Sequence, residues 1–245
     1  AEGWLKEQGM SRSLGPFNLS VNEECGILVD GFDEPPRILM GHALPYYGQR
    51  VEELGYEKAK DLWAYDLDIT QEFPENVQKI LRRAEAMGSL SLRKLSKKRM
   101  GEDLMTIIDI FNDAWRDNWG FIPMTAREIE KTGEDLKPFL REDACYIVDY
   151  EGEPAAFMLT VPDINEAIRD LDGKILPFGW TKLLWRLVIK NPSRCRVPLM
   201  GVRKKHQGSL AGATMAMLLI ETIRKNSVGF GYKRAELSWI LDDNV

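Results

Sequence analysis

Apolar residues recur at Leu104, Ile107, Ile108, Phe111 and Trp115, a spacing of three and four that lays one stripe along a helix and predicts that this stripe faces a core. Just before it, "SLSLRKLS" (Ser89 to Ser96) alternates with the period of two expected of a half-buried strand. Thr125 and Glu128 have the Thr-x-x-Glu spacing of a capping box, which predicts a second helix from Ala126 towards Leu140. In "CYIVDYEGEPAAFMLTV" two runs rich in β-formers flank an Asp-Tyr-Glu-Gly-Glu turn and read as an antiparallel hairpin. "RVPLMGV" and "RAELSWIL" are two more strands, separated by a long helix whose apolar side includes Met215, Leu218, Leu219 and Thr222. Strand, helix, helix, strand, strand, insertion, strand, helix, strand is the pattern of an α/β fold with a mixed, mostly antiparallel sheet flanked by helices.

The first third has a different pattern. Its "AEGWLKEQG" reads as a helix, and "GMSRSLGPFNLSVN" (Gly9 to Asn22) can be laid on "GYKRAELSWILDDN" (Gly231 to Asn244) so that Arg12 meets Arg234, Phe17 meets Trp239 and Leu19 meets Leu241. A match this short is as compatible with two unrelated helix-to-strand units as with duplication. Taken as duplication, it predicts the closing part of one unit in residues 1–70, a helical connector in 71–88 that holds "ENVQKILRRAEAMG", and most of a second unit in 89–245. The chain then reads as a fragment truncated at both ends.

Composition narrows the function classes. Of 245 residues 44% are apolar and 29% charged, the balance of a soluble globular protein, and the length allows one large domain or two small ones. A formal net charge of −5 weighs against general nucleic-acid binding. Cys25, Cys145 and Cys195 are odd in number and far apart, so neither a zinc site nor a disulfide framework is expected. His42 has no metal-ligand companion at useful spacing, and no metal is expected. No apolar run approaches the ~20 residues that span a bilayer, and no signal peptide opens the chain, so a cytoplasmic location is expected.

Candidate chemistry concentrates in "GVRKKHQGSLAGATMAML", Gly201 to Leu218, where a glycine-containing loop leads from a strand into a helix. Such a loop presents free N–H groups at the positive end of the helix dipole, where phosphates bind. Gly208 and Gly212 permit close approach, Ser209 adds a hydroxyl, and Lys204 and Lys205 add charge. A Walker loop is excluded because the Gly-Lys-Ser/Thr ending is missing, and the dinucleotide fingerprint fails on glycine spacing.

These residues resemble the pyrophosphate loop of the GNAT N-acetyltransferase superfamily, Gln/Arg-x-x-Gly-x-Gly/Ala, with Gln207 in the first position, Gly212 in the last and Leu210 where the middle glycine is expected. The element order from Ser89 onward is similar too, and Pro45 to Asp68 resembles the closing helix and strand of the same fold. The resemblance implies a partial N-terminal GNAT-like unit followed by a GNAT-like domain that lacks its closing helix and strands. It implies acetyl-CoA or another acyl-CoA in the splay between "RVPLMGV" and "RAELSWIL". The pyrophosphate would meet Gln207, Gly208, Ser209, Leu210, Ala211 and Gly212, and the pantetheine arm would meet Leu199, Met200, Gly201 and Val202, where Gly201 could mark a bulge. An N–H near Met200 would polarise the thioester, and Asn244 would contact the cofactor.

An amine must lose a proton as it attacks, so some group or water chain must take it, and a carboxylate within reach is the usual solution. Glu236 and Ser238, on one strand face opposite Leu237 and Trp239, are the catalytic candidates, with Asp242 and Asp243 as rivals. Trp115, Trp119 and Phe121 are candidates for the wall of a pocket for an acceptor, a small-molecule amine or a peptide, with core packing as their alternative. The expected activity is acyl transfer from coenzyme A to an amine of unknown identity by direct attack. A non-catalytic acyl-CoA-binding module and a cofactor-free interaction scaffold are the alternatives. The insertion "KILPFGWTKLLWRLVIKNPSRCR" holds an apolar stripe (Trp180, Leu183, Leu184, Leu187, Val188) beside Lys182, Arg186 and Lys190. It reads as sheet cover, as the wall of an acyl cavity, or as a membrane-surface helix.

Overall fold

The computed structural model describes residues 2–86, 88–125, 127, 128, 131 and 141–242. In chain order the elements are α1 (Glu2–Glu7), α2 (Tyr46–Glu53), β1 (Leu62–Asp68), α3 (Glu75–Ala86), β2 (Leu90–Lys94), α4 (Met100–Trp115), β3 (Cys145–Tyr150) and β4 (Glu153–Pro162). They continue with α5 (Ile164–Ile168), α6 (Gly179–Trp185) extended by a π turn (Arg186–Lys190), β5 (Arg194–Val202), α7 (Leu210–Gly229) and β6 (Arg234–Leu241). The reciprocal capping box forms: the Thr125 amide donates to Glu128 at 2.8 Å and the Glu128 amide to the Thr125 hydroxyl at 3.3 Å. The body of the helix expected to follow, Ala126 to Leu140, lies largely outside the described residues.

The strands make one six-stranded sheet, β1-β6-β5-β4-β3-β2, in which β5 and β6 run parallel and all other neighbours antiparallel. Tyr150 pairs with Glu153, and Glu151 and Gly152 between them both take positive φ, as a two-residue type I′ hairpin requires. β1 pairs with β6 from Leu62↔Leu241 to Asp68↔Arg234, so the sheet runs unbroken across the boundary expected at residue 70. The strand expected by analogy in residues 9–22 does not form. Only an isolated bridge, Phe17↔Cys25, closes there, because Pro16 lacks a donor and Leu19 sits at φ 76°.

Side-chain alternation sorts the core into two layers. Ile107, Ile110 and Phe111 of α4 pack on Phe157, Leu159 and Val161, whereas Met215, Leu218, Leu219 and Ile223 of α7 pack with Leu81 of α3 on Ala156, Met158 and Val197. Phe111 and Phe157 are both fully buried, each a gain of roughly 1.5–3 kcal/mol over exposure.

Candidate functional site

β5 and β6 pair only from Arg194↔Arg234 to Val197↔Leu237 and then part. The register shows why. Opposite Thr160 of β4 stand two residues of β5, Val197 and Pro198, and opposite Ala64 of β1 stand two of β6, Ser238 and Trp239. Each is a β-bulge, which bends its strand and raises its twist, and Pro198 has no N–H with which to extend the ladder. The bulge expected at Gly201 therefore lies three residues earlier. Gly201 is needed for another reason: a Cβ there would come within 2.9 Å of the Phe157 ring and 3.2 Å of Ala114.

Backbone polarity on the parted stretch of β5 follows from one bond. The Arg203 amide donates to the Ala155 carbonyl at 2.8 Å, so by alternation Gly201 and Leu199 also face β4, and Met200 and Val202 turn their N–H and C=O groups towards the gap. Both outward carbonyls are taken: Met200 O accepts the Trp115 indole N–H at 3.0 Å, and Val202 O accepts from the Gln207 side-chain amide at 2.9 Å. The N–H groups of Met200 and Val202 have no partner among the described residues, so the gap presents donors.

At the loop, the Gln207 amide donates to the Lys204 carbonyl and the Ser209 amide to the His206 carbonyl, each at 3.2 Å. Ser209 caps α7, its Oγ accepting from the Gly212 amide at 3.1 Å. The amides of Gly208, Leu210 and Ala211 have no acceptor among the described residues, and the last two open a helix whose first turn has no internal acceptors for them. The Gln207 side-chain amide ties Val202 to the end of α4, donating to the Val202 and Ala114 carbonyls. Gly212 has no room for a side chain, since a Cβ would sit 2.2 Å from the His206 carbonyl. Lys204 and Lys205 pair with Asp117 (2.9 Å) and Glu153 (2.6 Å), and with Arg203 they border a cleft of about 570 Å³ beside the loop. His206 stacks edge-on against Tyr150.

Where the strands begin to part lies a polar cluster that the sequence reading assembled only in part. Glu236 is buried, and Arg196 Nε stands 2.9 Å from its carboxylate as a charge pair; neither carboxylate oxygen has a hydrogen-bond donor among the described residues. Arg196 also donates to Ser238 Oγ at 2.8 Å and to the Ile38 carbonyl. Asp163 accepts the amides of Ile38 and Asn165, both at 3.2 Å, so residues 34–40 lie as a strap over this end of the sheet. Burial raises the Glu236 carboxyl above the ordinary glutamate range, with the Arg196 charge opposing, and burial lowers the Arg196 guanidinium.

Glu236 and Ser238 do share a face, as alternation predicts. Trp239 does not take the opposite one, because the bulge shifts the alternation and sets its ring 5.4 Å from the Arg196 guanidinium. Trp115 reaches the gap, Phe121 packs on Phe111 in the core, and Trp119 packs on Phe17. Asp242 forms an ion pair with Lys60 at 2.7 Å. Asp243 and Asn244 lie outside the described residues. Arg196 and Pro198 went unrecognised in "RCRVPL", although an arginine and a proline inside an apolar strand are themselves the signal of a paired buried charge and a broken ladder.

No protein-family profile matches the chain. It is 46% identical over its whole length to the bacterial ceramide synthase of Caulobacter vibrioides and 41% identical to protein YghO of Escherichia coli K12. In each case it spans 63% of the relative's length. Among solved structures, a GCN5-related N-acetyltransferase from Sphaerobacter thermophilus aligns with a TM-score of 0.49 at 12% identity, over 85% of this chain and 50% of that one. A likeness of that degree carries no argument about function.

Proposed function

We propose that this chain is the acyl-donor-binding part of an N-acyltransferase that joins a fatty acyl group from acyl-coenzyme A to the amine of a long-chain base. The observation that carries the reading is the row of unpartnered donors running from Met200 and Val202 in the gap to Gly208, Leu210 and Ala211 at the start of α7. The fit is chemical: a diphosphate needs several N–H donors converging on it, and Gly212 lets the loop close tightly on the His206 carbonyl so that these amides gather at the start of the helix. The relative described as a ceramide synthase supports the acceptor class, since a ceramide is the amide of a fatty acid and a long-chain base.

The donor would supply an acyl carbon activated as a thioester. The Met200 N–H, which faces the gap, would polarise its carbonyl. Glu236, its proton affinity raised by burial, would take the proton that the ammonium must lose before its nitrogen attacks, the C–S bond then breaking to release coenzyme A as the thiolate; Arg196, itself tied to Ser238, pairs with that carboxylate. Acetyl-CoA remains the smallest donor this geometry would serve.

The test is Leu210→Glu. Leu210 is 82% exposed at the first position of α7, where a carboxylate suits the helix dipole, so the fold should keep or slightly gain stability. The same charge placed among the loop amides should weaken acyl-CoA binding at least tenfold by calorimetry in the full-length protein. Unchanged affinity removes the loop from the donor site. The charge pair over Glu236 favours a second reading, a module that binds donor without turnover; thiol release from acyl-CoA with a long-chain amine present separates the two.

A further inference from the structure

The segment between β4 and β5 is folded with its apolar side outward. Leu176 and Phe178 are 79% and 76% exposed, Val188 and Ile189 63% and 69%, and Trp180 and Trp185 half exposed. The charged side of α6 is instead spent against the protein. Lys182 and Arg186 both pair with Asp170, Arg186 also donates to the Ala167 carbonyl, and Arg141 holds the Leu187 carbonyl from outside the segment at 3.1 Å. A helix that covers a sheet has the reverse arrangement. Lys174 and Lys190, at the two ends of the segment, have no ion-pair partner among the described residues.

We infer that residues 174–190 dock this protein on the surface of an anionic phospholipid bilayer. Aliphatic and tryptophan side chains flanked by free lysines match the two layers of such a surface, hydrocarbon beneath and phosphate above. The segment lies on the membrane and does not cross it, because no helix among the described residues is long and apolar enough to span one. Charge decides among occupants. A protein partner's interface core is depleted of lysine, and a second copy related by a twofold axis would set Lys174 and Lys190 against the same surface of its mate. The chain as a whole carries a formal charge of −5, so it approaches anionic lipid favourably only where cations such as these lead.

The position in the fold suits lipid traffic. The segment leaves the sheet at Pro162 and re-enters at Arg194, the end where β5 and β6 are still paired, whereas the loop amides lie at the opposite end of β5. A water-soluble nucleotide portion and a bilayer-borne chain would thus reach the gap from opposite ends. The docking itself does not depend on the transferase reading, because it is measured without turnover.

The experiment is sedimentation of the full-length protein with extruded vesicles of phosphatidylcholine alone and of phosphatidylcholine with 30% phosphatidylglycerol. Wild type should bind the anionic vesicles and lose most of that binding at high salt. Leu176→Asp/Phe178→Asp should bind at least tenfold more weakly at unchanged melting temperature, and Lys174→Glu/Lys190→Glu should lose only the preference for phosphatidylglycerol. Vesicle binding that neither double variant alters overturns the inference. So does hydrogen exchange showing 174–190 already protected in the lipid-free full-length protein, which would mean that another part of the chain or a second copy covers it. Absence of any vesicle binding overturns it outright.

Discussion

Arg196 and Glu236 show what a charge pair inside a sheet demands. With side-chain exposures of 3% and 4% both ions are shut away from water, and the Glu236 carboxylate, unlike the arginine, has this charge pair as its main compensation. Arg196→Met should therefore destabilise the protein by about 3–5 kcal/mol, since it strands a buried carboxylate, while Arg196→Met/Glu236→Leu should recover most of that loss; urea unfolding of the two variants decides this. The same carboxylate has a pH signature. Its folded-state pKa lies above the unfolded one, so the fold binds its proton more tightly. The resulting contribution to stability is complete below the unfolded value and fades as pH rises through the raised one. Carbon-13 titration of the Glu236 carboxyl should give a midpoint above the ordinary glutamate range, and a midpoint at or below it would refute burial as the dominant influence.

Among the elements, β5 carries the most consequence per residue. Its bulge turns Val197 and Met200, three positions apart, to the same α7-facing layer and swings the later backbone donors into the gap. Gly201 then lies where two elements close on it. Gly201→Val should cost about 1–3 kcal/mol through overpacking against Phe157 and Ala114, readable as a lower urea midpoint with unchanged slope. Periodicity located this strand, its neighbours and α7 because burial imposes regular spacing on apolar residues, and the loop was legible through its glycines because a Cβ on Gly212 would strike the His206 carbonyl and Gly208 takes a positive φ. The parting point was illegible for a physical reason: a bulge breaks the very alternation by which a strand is recognised. The Arg196 cluster was hidden likewise, since its members Asp163, Arg196 and Glu236 come from remote parts of the chain and no local spacing links them.

Across the whole molecule, the thiols report how tightly the sheet is closed. Burial pushes Cys145 and Cys195 up to about 12 and the half-buried Cys25 up to about 11. In a thiol-exchange assay Cys145 and Cys195 should stay unreactive until the protein unfolds, with Cys25 reacting slowly, because the thiolate is the reactive species and exposure its access. Fast labelling of Cys145 or Cys195 at native pH would mean that the sheet opens locally far below the global unfolding free energy.

The pairing of β1 with β6 has a consequence for biosynthesis. The inner partner of β1 emerges from the ribosome only after everything between residues 68 and 234, a wait on the order of ten seconds or more at about 5–20 residues per second. Throughout that interval Trp63, Tyr65 and Leu67 are an aromatic and aliphatic ribbon with unsatisfied amides, the kind of segment that nascent-chain chaperones hold. Moving a copy of residues 62–68 to a position directly after β6, with the original strand replaced by a polar linker, would remove most of the wait, and the rearranged chain should aggregate less during translation.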